Sequence, residues 1–498
     1  MRISMKDQSY NSRSTLKKQL SYINGAYLAN QSGDTFTTCY PGDEHVICEV
    51  EIAGQPEIDA AVAAASEAFE AWSSTPAVER GNILRRAATL LRERNQMLAE
   101  LETLDTGKPI AETSAVDIIS GAEVIEFFAG AAQSIQGHQI DLPPEAFAIM
   151  RREPIGVCAG IGAWNYPMQI AMWKSGPALA CGNTMVFKPA EQTPLTANLL
   201  AEIYTEAGLP PGVFNVVQGA RDTGSTLISH PRVAKVTLTG SVETGKVVMA
   251  NSAQDLKKVT LELGGKSPVI IFNDANLDNA INGALAANFY SSGQVCSNGT
   301  RVFVHQDIYE EFIKRIAERT SAIKLGDPFN PETQMGPLVT REHFEKVTSY
   351  IQAGRASGAR HVCGGDTPTA LADGCYVTPA IFADCADDMS IVTDEVFGPL
   401  MSVLSFSSEE EVLKRANSTK FGLSGAVFTK DFSRAHRVAN KIQAGIVWIN
   451  EYNITPAEIP FGGYKQSGIG RENGLQAIEH YTQIKTIYAN LGDIPAPY

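Results

Sequence analysis

The sequence predicts an α/β protein with two doubly wound, open-sheet domains and a small β arm. From Ile155 onward, short apolar runs alternate with helical segments, which is the pattern of a parallel sheet with crossover helices. A second series of this kind begins near Leu263 and continues to about Asn450. Two β-prone segments, Phe147–Arg152 and Tyr481–Leu491, fit neither series, and they predict an arm that pairs with another chain.

The individual elements follow from hydrophobic periodicity. Before the first series, residues 56 to 135 show the apolar spacing of three helices, expected at Glu57–Ser73, Val78–Leu104 and Val116–Ala132. In the first series we expect strands at Ile155–Ile161, Thr184–Phe187, Val213–Val217 and Ala234–Leu238, and helices at Leu195–Ala207 and Glu243–Asn251. A further helix is expected at Leu277–Tyr290 in the second series.

Composition excludes several classes of protein. The chain has 498 residues, enough for about three domains. Hydrophobic residues make up 44% and charged residues 19%, which excludes wholesale disorder. Its net charge of -14 disfavours binding to nucleic acid or to an anionic membrane surface. We find no apolar run long enough for a membrane-spanning helix.

Cysteine and histidine usage bears on location and metal binding. The eight cysteines are scattered, with no Cys-x-x-Cys and no His-x-x-x-His, so neither a disulfide framework nor a structural zinc site is expected. The first twenty residues are polar and basic and lack the apolar core of a secretory signal. We therefore expect a cytoplasmic protein, with Met5 as an alternative start to Met1.

Two residues are candidates for nucleophile and base. Cys296 lies in a loop of small residues, with Gly293 before it and Asn298-Gly299 after it, where a thiolate is open to a substrate. A lone cysteine is more often a buried apolar filler, and that alternative stays open on the pattern alone. Glu262 ends an apolar, strand-like run before a double glycine. If it is buried, its pKa rises and suits a general base, whereas on an edge strand it faces solvent.

Further candidates follow strand ends. Asn165, which can donate to an oxyanion, leaves the Ile155 strand before a proline, and on the pattern alone an ordinary turn residue is the more frequent interpretation. Lys188 and Glu191 leave the next strand together, where open α/β sheets bind ligands, or they form a solvated charge pair. The turn at Gly240-Ser241 opens a helix and offers N–H groups to a phosphate. Residues 240–246 also match the G-x-x-x-x-G-K part of a P-loop, but Val247 stands where a nucleotide hydrolase needs Ser or Thr, so a nucleotide hydrolase is disfavoured.

Together these motifs resemble the aldehyde dehydrogenase superfamily, from about residue 20 to the end of the chain. Seven segments match in order, namely AWNYP at 163–167, FKPAE at 187–191, LTGS at 238–241, LELGGKSP at 261–268, GQVC at 293–296, EVFGP at 395–399 and PFGGYKQSGIGRENG at 460–474. Longer stretches, such as RREPIGVCAGIGAWNYPMQIAMWKS, are similar to the bacterial members of this family that oxidise betaine aldehyde.

The resemblance implies a domain plan. It places a Rossmann-like NAD-binding domain at residues 1–133 and 153–262, a catalytic domain at 263–480, and an oligomerisation arm at 134–152 and 481–498. It also implies a homo-oligomer, either a dimer or a tetramer.

The resemblance also implies residue roles. Cys296 is the implied nucleophile, Asn165 the oxyanion donor and Glu262 the base for water, while Lys174 and Glu472 form a proton relay. Residues implied to hold NAD are Gly162, Ala163, Trp164, Lys188, Glu191, Gly240, Ser241, Gly264 and Glu395. A monovalent cation such as K⁺ is implied near Asp105, Lys465 and Gly468.

The expected substrate is betaine aldehyde, whose trimethylammonium group requires an aromatic cage. Candidate rings, each equally compatible with ordinary core packing, are those of Tyr166, Trp173, Tyr290, Trp448, Tyr452 and Phe461. After Asn450 the chain reads Glu451-Tyr452-Asn453 where similar proteins often have Trp, and a related enzyme acting on an aminoaldehyde needs a similar cage. A cysteine thioesterase or acyltransferase is an alternative from another class, and a non-catalytic relative is a third.

Overall fold

The computed structural model describes residues 9–498, which form α/β domains as the sequence predicts. Its strands are β1 (Ser21–Ile23), β2 (Ala26–Leu28), β3 (Thr35–Cys39), β4 (Val46–Glu51), β5 (His138–Leu142), β6 (Ala146–Pro154), β7 (Val157–Ile161), β8 (Thr184–Lys188), β9 (Phe214–Val216), β10 (Val233–Thr239), β11 (Lys258–Glu262), β12 (Pro268–Ile271), β13 (Arg301–His305), β14 (Arg360–Cys363), β15 (Ala380–Ala383), β16 (Leu400–Phe406), β17 (Ser424–Phe428), β18 (Ile446–Ile449), β19 (Gly468–Ile469) and β20 (Thr482–Asn490).

The α-helices flank these strands. They are α1 (Gln55–Ser74), α2 (Ala77–Glu93), α3 (Asn95–Thr106), α4 (Ile110–Glu112), α5 (Ile118–Ala131), α6 (Pro167–Ala180), α7 (Thr196–Glu206), α8 (Arg221–Ser229), α9 (Val242–Ala253), α10 (Leu277–Phe289), α11 (Tyr309–Ser321), α12 (Arg341–Ala356), α13 (Ser390–Thr393), α14 (Glu409–Asn417), α15 (Phe432–Lys441) and α16 (Ala477–His480).

The first domain is built on an eight-stranded sheet of order β19-β11-β10-β7-β8-β9-β1-β2. Its five central strands run parallel, and side chains alternate between two buried faces. Met185 and Phe187 of β8 join one apolar core, while Val186 between them joins the other. The chain moves from β7 to β9 on one side and then returns to β10 on the other, so the strand order reverses between β7 and β10. Open α/β sheets bind ligands at such a reversal.

The second domain repeats this construction. Its seven-stranded sheet has the order β14-β15-β16-β13-β12-β17-β18, and all pairings are parallel except that of β14 with β15. Val269 and Ile271 of β12 join one core, and Ile270 joins the other. Both sheets are therefore covered on both faces, which confirms the predicted fold class.

The three-stranded sheet, of order β20-β6-β5, contains both β-prone segments that were predicted to form the arm. All nine residues of β20 pair with β6, from Thr482 opposite Pro154 to Asn490 opposite Ala146. Its outer side chains include Ile484, which is 59% exposed, and Tyr488, which is 63% exposed.

The structure differs from the sequence predictions at three places. The single helix expected at Val78–Leu104 is divided into α2 and α3 at Arg94, whose backbone is not helical and whose buried guanidinium binds Glu206 at 2.6 and 2.7 Å. A π-helical turn at Thr113–Asp117 precedes α5. After β18 the chain returns to the first domain, because β19 pairs with β11. Residues 468–469 therefore do not belong to the catalytic domain predicted at 263–480.

Candidate active site

A cleft of about 570 Å³ lies between the two sheets and brings the predicted residues together. The carboxyl ends of the first sheet's parallel strands form one wall, and the amino ends of β12, β13 and β16 form the other. All nine residues predicted to hold the cofactor line it, namely Gly162, Ala163, Trp164, Lys188, Glu191, Gly240, Ser241, Gly264 and Glu395. Cys296, Glu262 and Asn165 line the same cleft.

Cys296 is the cysteine that faces the cleft. It lies between α10 and β13 and is partly buried. All eight cysteines are free thiols. Burial, together with the negative charges of Glu262 and Glu395, raises the pKa of Cys296 to about 12. The thiol is therefore protonated at neutral pH in the protein alone, and a base must take its proton before it can attack.

Glu262 ends β11 and is buried, with 4% of its surface exposed. This finding excludes the solvent-facing alternative. Neither carboxylate oxygen has a hydrogen-bond partner among the described residues. Burial, and then the charge of Glu472, raise the pKa of Glu262 well above its usual range. A buried carboxylate with free lone pairs and a raised pKa is suited to accept a proton from water or from a thiol.

Lys174 and Glu472 form a buried ion pair behind Glu262. Lys174 lies on α6 and is fully buried, and its Nζ donates to Glu472 Oε1 over 2.5 Å. Thr237 of β10 donates to the same oxygen over 3.1 Å. The pair does not line the cleft, but both of its charges act on Glu262, since Glu472 raises the pKa of that carboxyl and Lys174 lowers it.

Asn165 is buried at the exit of β7. Its side-chain amide donates to the carbonyl oxygen of Gln294 over 2.9 Å, so it bridges the first domain to the loop that carries Cys296. The amide thus lies beside the nucleophile, as an oxyanion donor requires, although it already has a partner in this state.

Lys188 and Glu191 lie at the end of β8, in the wall formed by the first sheet. Lys188 Nζ is 3.5 Å from Glu191 Oε2 and donates to the Pro189 carbonyl over 2.8 Å. Burial lowers the pKa of Lys188. The pair is half buried rather than solvated, because Lys188 is inside the protein while Glu191 reaches the cleft.

The turn after β10 opens α9. Ser241 is the N-terminal cap, and its hydroxyl accepts from the backbone N–H of Thr244 over 3.1 Å. A Cβ added at Gly240 meets nothing nearer than Leu238, at 3.6 Å. Space above the turn is therefore open to the cleft, as a phosphate seated on a helix N-terminus requires.

Glu395 reaches the cleft from the loop before β16. Gly265 N–H donates to its carboxylate over 3.0 Å, and burial raises its pKa to about 7. A Cβ at Gly264 lies 2.0 Å from Glu395 Oε2, so any larger residue there displaces this carboxylate.

Sequence reasoning missed three cleft residues in the second domain, His343, Lys346 and Phe397. Trp164 meets the rings of His343 and Phe397 edge-on, with centroids 5.0 and 5.1 Å away. Burial lowers the pKa of His343 to about 4, so its ring is neutral, and Nε2 lies 2.7 Å from the Phe397 carbonyl. Phe397 lies within the EVFGP segment at 395–399, so the sequence could have indicated it, whereas no local sequence pattern marks His343.

Five of the six predicted cage rings fall into three groups. Trp173 and Phe461 form one pair, with centroids 5.4 Å apart. Trp448 and Tyr452 pack together inside the second domain, where the Tyr452 hydroxyl donates to the Ser297 carbonyl over 2.6 Å. Tyr166 carries the Lys108 ammonium 3.4 Å from its ring centroid, so one face of this ring is already occupied by a cation of the protein itself.

Tyr290, the remaining cage candidate, directly precedes the turn of Ser291 and Ser292. Burial and the charges of Glu112 and Asp117 raise the pKa of its hydroxyl far above its usual range. It is therefore a neutral ring beside carboxylates.

The residues predicted near a cation have different neighbours. Asp105 is buried, with one oxygen bound to the Leu195 N–H over 2.9 Å and the other without a partner among the described residues. Lys465 donates instead to the carbonyls of Asn417 and Thr419, and Gly468 pairs with β11. No group of three or more metal-ligating side chains occurs within residues 9–498. A bound K⁺ stays a prediction.

Comparison with known proteins identifies the family. The model of the aldehyde dehydrogenase family matches residues 27–487. The chain belongs to the aldehyde dehydrogenase family. It is 54% identical over 479 residues to betaine aldehyde dehydrogenase from Brucella anthropi, covering 96% of this chain and 98% of that protein.

Two solved structures of the family support this assignment. A variant of aldehyde dehydrogenase from Bacillus cereus superposes with a TM-score of 0.94 at 44% identity, covering 95% of this chain and 97% of that one. Betaine aldehyde dehydrogenase from Staphylococcus aureus, solved in complex with NAD⁺, gives a TM-score of 0.94 at 40% identity, covering 96% of each chain. Within the described part of this family member, no helix has the length and apolar character needed to cross a membrane.

Proposed function

We propose that this aldehyde dehydrogenase uses NAD to oxidise an aldehyde to a carboxylic acid through Cys296, and that its substrate is betaine aldehyde. The supporting observation is that Cys296 and Glu262 share one cleft with the residues suited to a dinucleotide. A cysteine thioesterase or acyltransferase needs Cys296 and Glu262. Such an enzyme has no use for Lys188, Glu191 and Glu395. A non-catalytic relative needs none of them.

NAD fits the wall formed by the first sheet. Glu191 is placed to accept from an adenosine ribose hydroxyl, and the open turn at Gly240 and Ser241 offers N–H groups to the pyrophosphate. Glu395 is placed to accept from the second ribose. When bound, NAD supplies the acceptor for the hydride that leaves the substrate carbon.

The chemistry of the chain's own residues follows from their placement. Glu262 takes the proton of the Cys296 thiol, and the sulfur adds to the aldehyde carbon to form a thiohemiacetal whose oxygen is held by the Asn165 amide. Loss of hydride converts this adduct into a thioester. Glu262 then releases the thiol proton to solvent by way of Lys174 and Glu472, takes a proton from water, and the hydroxide attacks the thioester carbon. As the acid leaves, Glu262 returns a proton to the departing thiolate, which restores the thiol. Lys174 and Glu472 provide the next proton positions behind Glu262.

A substrate panel tests this proposal. Wild-type protein is assayed for NADH formation with NAD and betaine aldehyde, an aminoaldehyde, succinate semialdehyde and propanal. We expect the highest kcat/KM with betaine aldehyde. A higher value with the aminoaldehyde would support the alternative substrate, and no NADH from any aldehyde would refute the dehydrogenase.

The rings of Trp173 and Phe461 are the cage we favour, since they pair within the apolar core against which Cys296 packs. Trp173 lies in the middle of α6, the helix that follows Asn165. Each well-placed ring contributes about 0.5–2 kcal/mol toward a quaternary ammonium. Trp173→Ala should therefore raise KM for betaine aldehyde roughly tenfold and affect propanal much less. An equal loss on both aldehydes would show that Trp173 only packs the core.

We also propose that the protein is a homo-oligomer joined through its arm. Both outer strands of the arm sheet, β5 and β20, lack a second strand partner within the described chain, and apolar side chains such as Ile484 are exposed there. Truncation after Thr482 spares the buried Tyr481 and should lower the mass measured by light scattering. An unchanged mass would show that another surface joins the subunits.

A further inference from the structure

A short segment of the first domain, Lys108 to Asp117, lies against the oxyanion side of the cleft. Lys108 is buried, and its Nζ lies 2.5 Å from Asp117 and 3.4 Å from the Asn165 carbonyl oxygen. The same ammonium covers one face of the Tyr166 ring. One lysine therefore fixes both the backbone of Asn165 and the residue that follows it.

The same segment also binds the loop that carries the nucleophile. Glu112 accepts from the Ser291 backbone N–H over 3.2 Å and from the Ser291 hydroxyl over 2.9 Å. Ser291 is buried and has a φ of 49°, and Ser292 has a φ of 55°. This left-handed conformation is unfavourable for a residue with a Cβ and persists only where its surroundings hold it.

Ser291 in turn connects to the catalytic residues. Its carbonyl accepts from the Gln294 N–H over 3.0 Å. The Gln294 carbonyl accepts from the Asn165 amide over 2.9 Å, and Cys296 follows two residues later. The Tyr166 hydroxyl lies 3.2 Å from Ser291 Oγ, so the residue after Asn165 also contacts Ser291 directly. The left-handed turn is thus joined on one side to Glu112 and on the other to Asn165 and Cys296.

We propose that Glu112 is a positioning residue, which holds Ser291 in its left-handed conformation and so sets the position of Cys296 relative to Asn165. The inference rests on the proposed function only in taking Cys296 as the nucleophile. Both hydrogen bonds of the Glu112 carboxylate go to Ser291, whereas Asp117 pairs with Lys108, the lysine of the segment. Glu112 therefore stabilises the nucleophile loop rather than its own helix.

The test uses two readouts, kcat for NADH formation and the rate at which iodoacetamide alkylates Cys296, followed on the Cys296 peptide by mass spectrometry. Glu112→Ala should lower both kcat and the alkylation rate roughly tenfold, because without the two hydrogen bonds the turn at Ser291 relaxes and the Cys296 thiol is displaced. KM for NAD should be unchanged, because the residues proposed to bind NAD on the first sheet are not altered. Glu112→Gln should stay within about threefold of wild type, since a carboxamide can accept from the N–H and donate to the hydroxyl oxygen.

A Ser291→Gly background distinguishes loss of the left-handed conformation at residue 291 from a general loss of stability. Glycine adopts positive φ without strain, so it needs no carboxylate to hold it. In a Ser291→Gly background, Glu112→Ala should therefore cost less than about threefold in both readouts. A loss as large as that in the wild-type background would overturn the proposal, as would wild-type kcat and alkylation in Glu112→Ala itself.

Glu102→Gln is the matched control. Glu102 is buried in the same cluster, and its carboxylate oxygens have no hydrogen-bond partner among the described residues. It should leave Cys296 alkylation unchanged, and a loss equal to that of Glu112→Ala would overturn the proposal. Should Glu112→Ala not fold, Ser291→Ala removes one of the two bonds and should lower alkylation about threefold; no change would again count against the proposal.

The alkylation readout distinguishes this inference from the proposed function. If wild-type protein forms no NADH from any aldehyde, the dehydrogenase proposal fails, while a lowered alkylation rate in Glu112→Ala still supports the positioning role. If NADH forms normally and alkylation is insensitive to Glu112, only the positioning role fails.

Discussion

The two sheets of this protein are built alike but present opposite edges to the cleft. In the first sheet the cleft residues lie at the carboxyl ends of strands, as Lys188 ends β8 and Gly240 follows β10. In the second sheet they precede the amino ends, as Cys296 precedes β13 and Glu395 precedes β16. The first wall therefore obeys the rule for ligand binding in open α/β sheets, and the second wall depends on its loops.

This difference assigns separate tasks to the two walls. In the proposed mechanism, the first wall carries the base and the oxyanion donor, together with most of the surface suited to the cofactor. The second supplies the thiol from a loop that contains non-glycine residues at positive φ, Ser291 and Ser292. Substitutions on the two walls should therefore fail in different ways.

The largest effect is expected on the second wall. Cys296→Ala should lower NADH formation by at least about 10³-fold, including the first turnover, because the bond to the aldehyde carbon cannot form. Binding of NAD, followed by fluorescence titration, should persist. Cys181→Ala, at a buried thiol away from the cleft, serves as control. Comparable loss in the control would remove the basis for the assignment.

On the first wall, Glu262→Gln should slow the steady state by about 10²–10⁴-fold and still release a burst of NADH. Another proton acceptor must then receive the thiol proton, so the burst itself is expected to slow less than the steady state. Rapid-mixing absorbance at the NADH band measures both phases. Equal losses in the burst rate and the steady-state rate would place the main role of Glu262 before hydride transfer. Substitutions on the two walls would then fail in the same way, which would contradict the separate tasks assigned to them.

The buried pair behind Glu262 allows a test by pH. Glu262 acts as a base only when ionised, so activity should rise with pH through its raised pKa. Glu472→Gln removes the charge that raises this pKa and should move the rising limb to lower pH. Lys174→Met removes the charge that lowers it and should move the limb to higher pH. Shifts in the same direction would contradict the assigned signs.

The smallest effect concerns the choice of cofactor. The Glu191 carboxylate should repel the extra phosphate of NADP, so NAD should give the higher kcat/KM. Glu191→Ala should narrow that preference about fivefold, in line with roughly 1 kcal/mol for charges near water. Initial rates with both cofactors provide the measurement, and Glu70→Ala, on the exposed surface of α1 and outside the cleft, provides the control. Equal kcat/KM in the wild type would contradict this role.

How much was predictable from sequence follows the same division. The parallel strands of the first domain, and the residues at their ends, were predicted because apolar runs and following turns are local signals. His343 and Lys346 were not, because they lie on α12 and reach the cleft only through tertiary packing. The break at Arg94 was missed for a similar reason, since its buried partner Glu206 is 112 residues away.

The cage predictions show a further limit. Tyr166 and Trp173 are seven residues apart, a spacing that brings two residues to one face of a helix, but α6 begins at Pro167, so Tyr166 precedes the helix. Its ring is also covered by Lys108. Spacing along the chain cannot reveal such a competitor, because the lysine comes from a distant segment.

The chain crosses between the two domains at places that touch the reacting groups. Outbound, the Gly264-Gly265 link contacts Glu395, and a Cβ at Gly265 lies 2.7 Å from the Cys296 carbonyl oxygen. On the return, Gly462 passes so near Glu262 that a Cβ lies 2.8 Å from its Oε1. At both links the backbone therefore lies directly against the groups assigned to the chemistry, so a larger residue at Gly265 would press on the Cys296 loop and one at Gly462 would press on Glu262. The two links between the domains are thus also part of the packing that positions the thiol and the base.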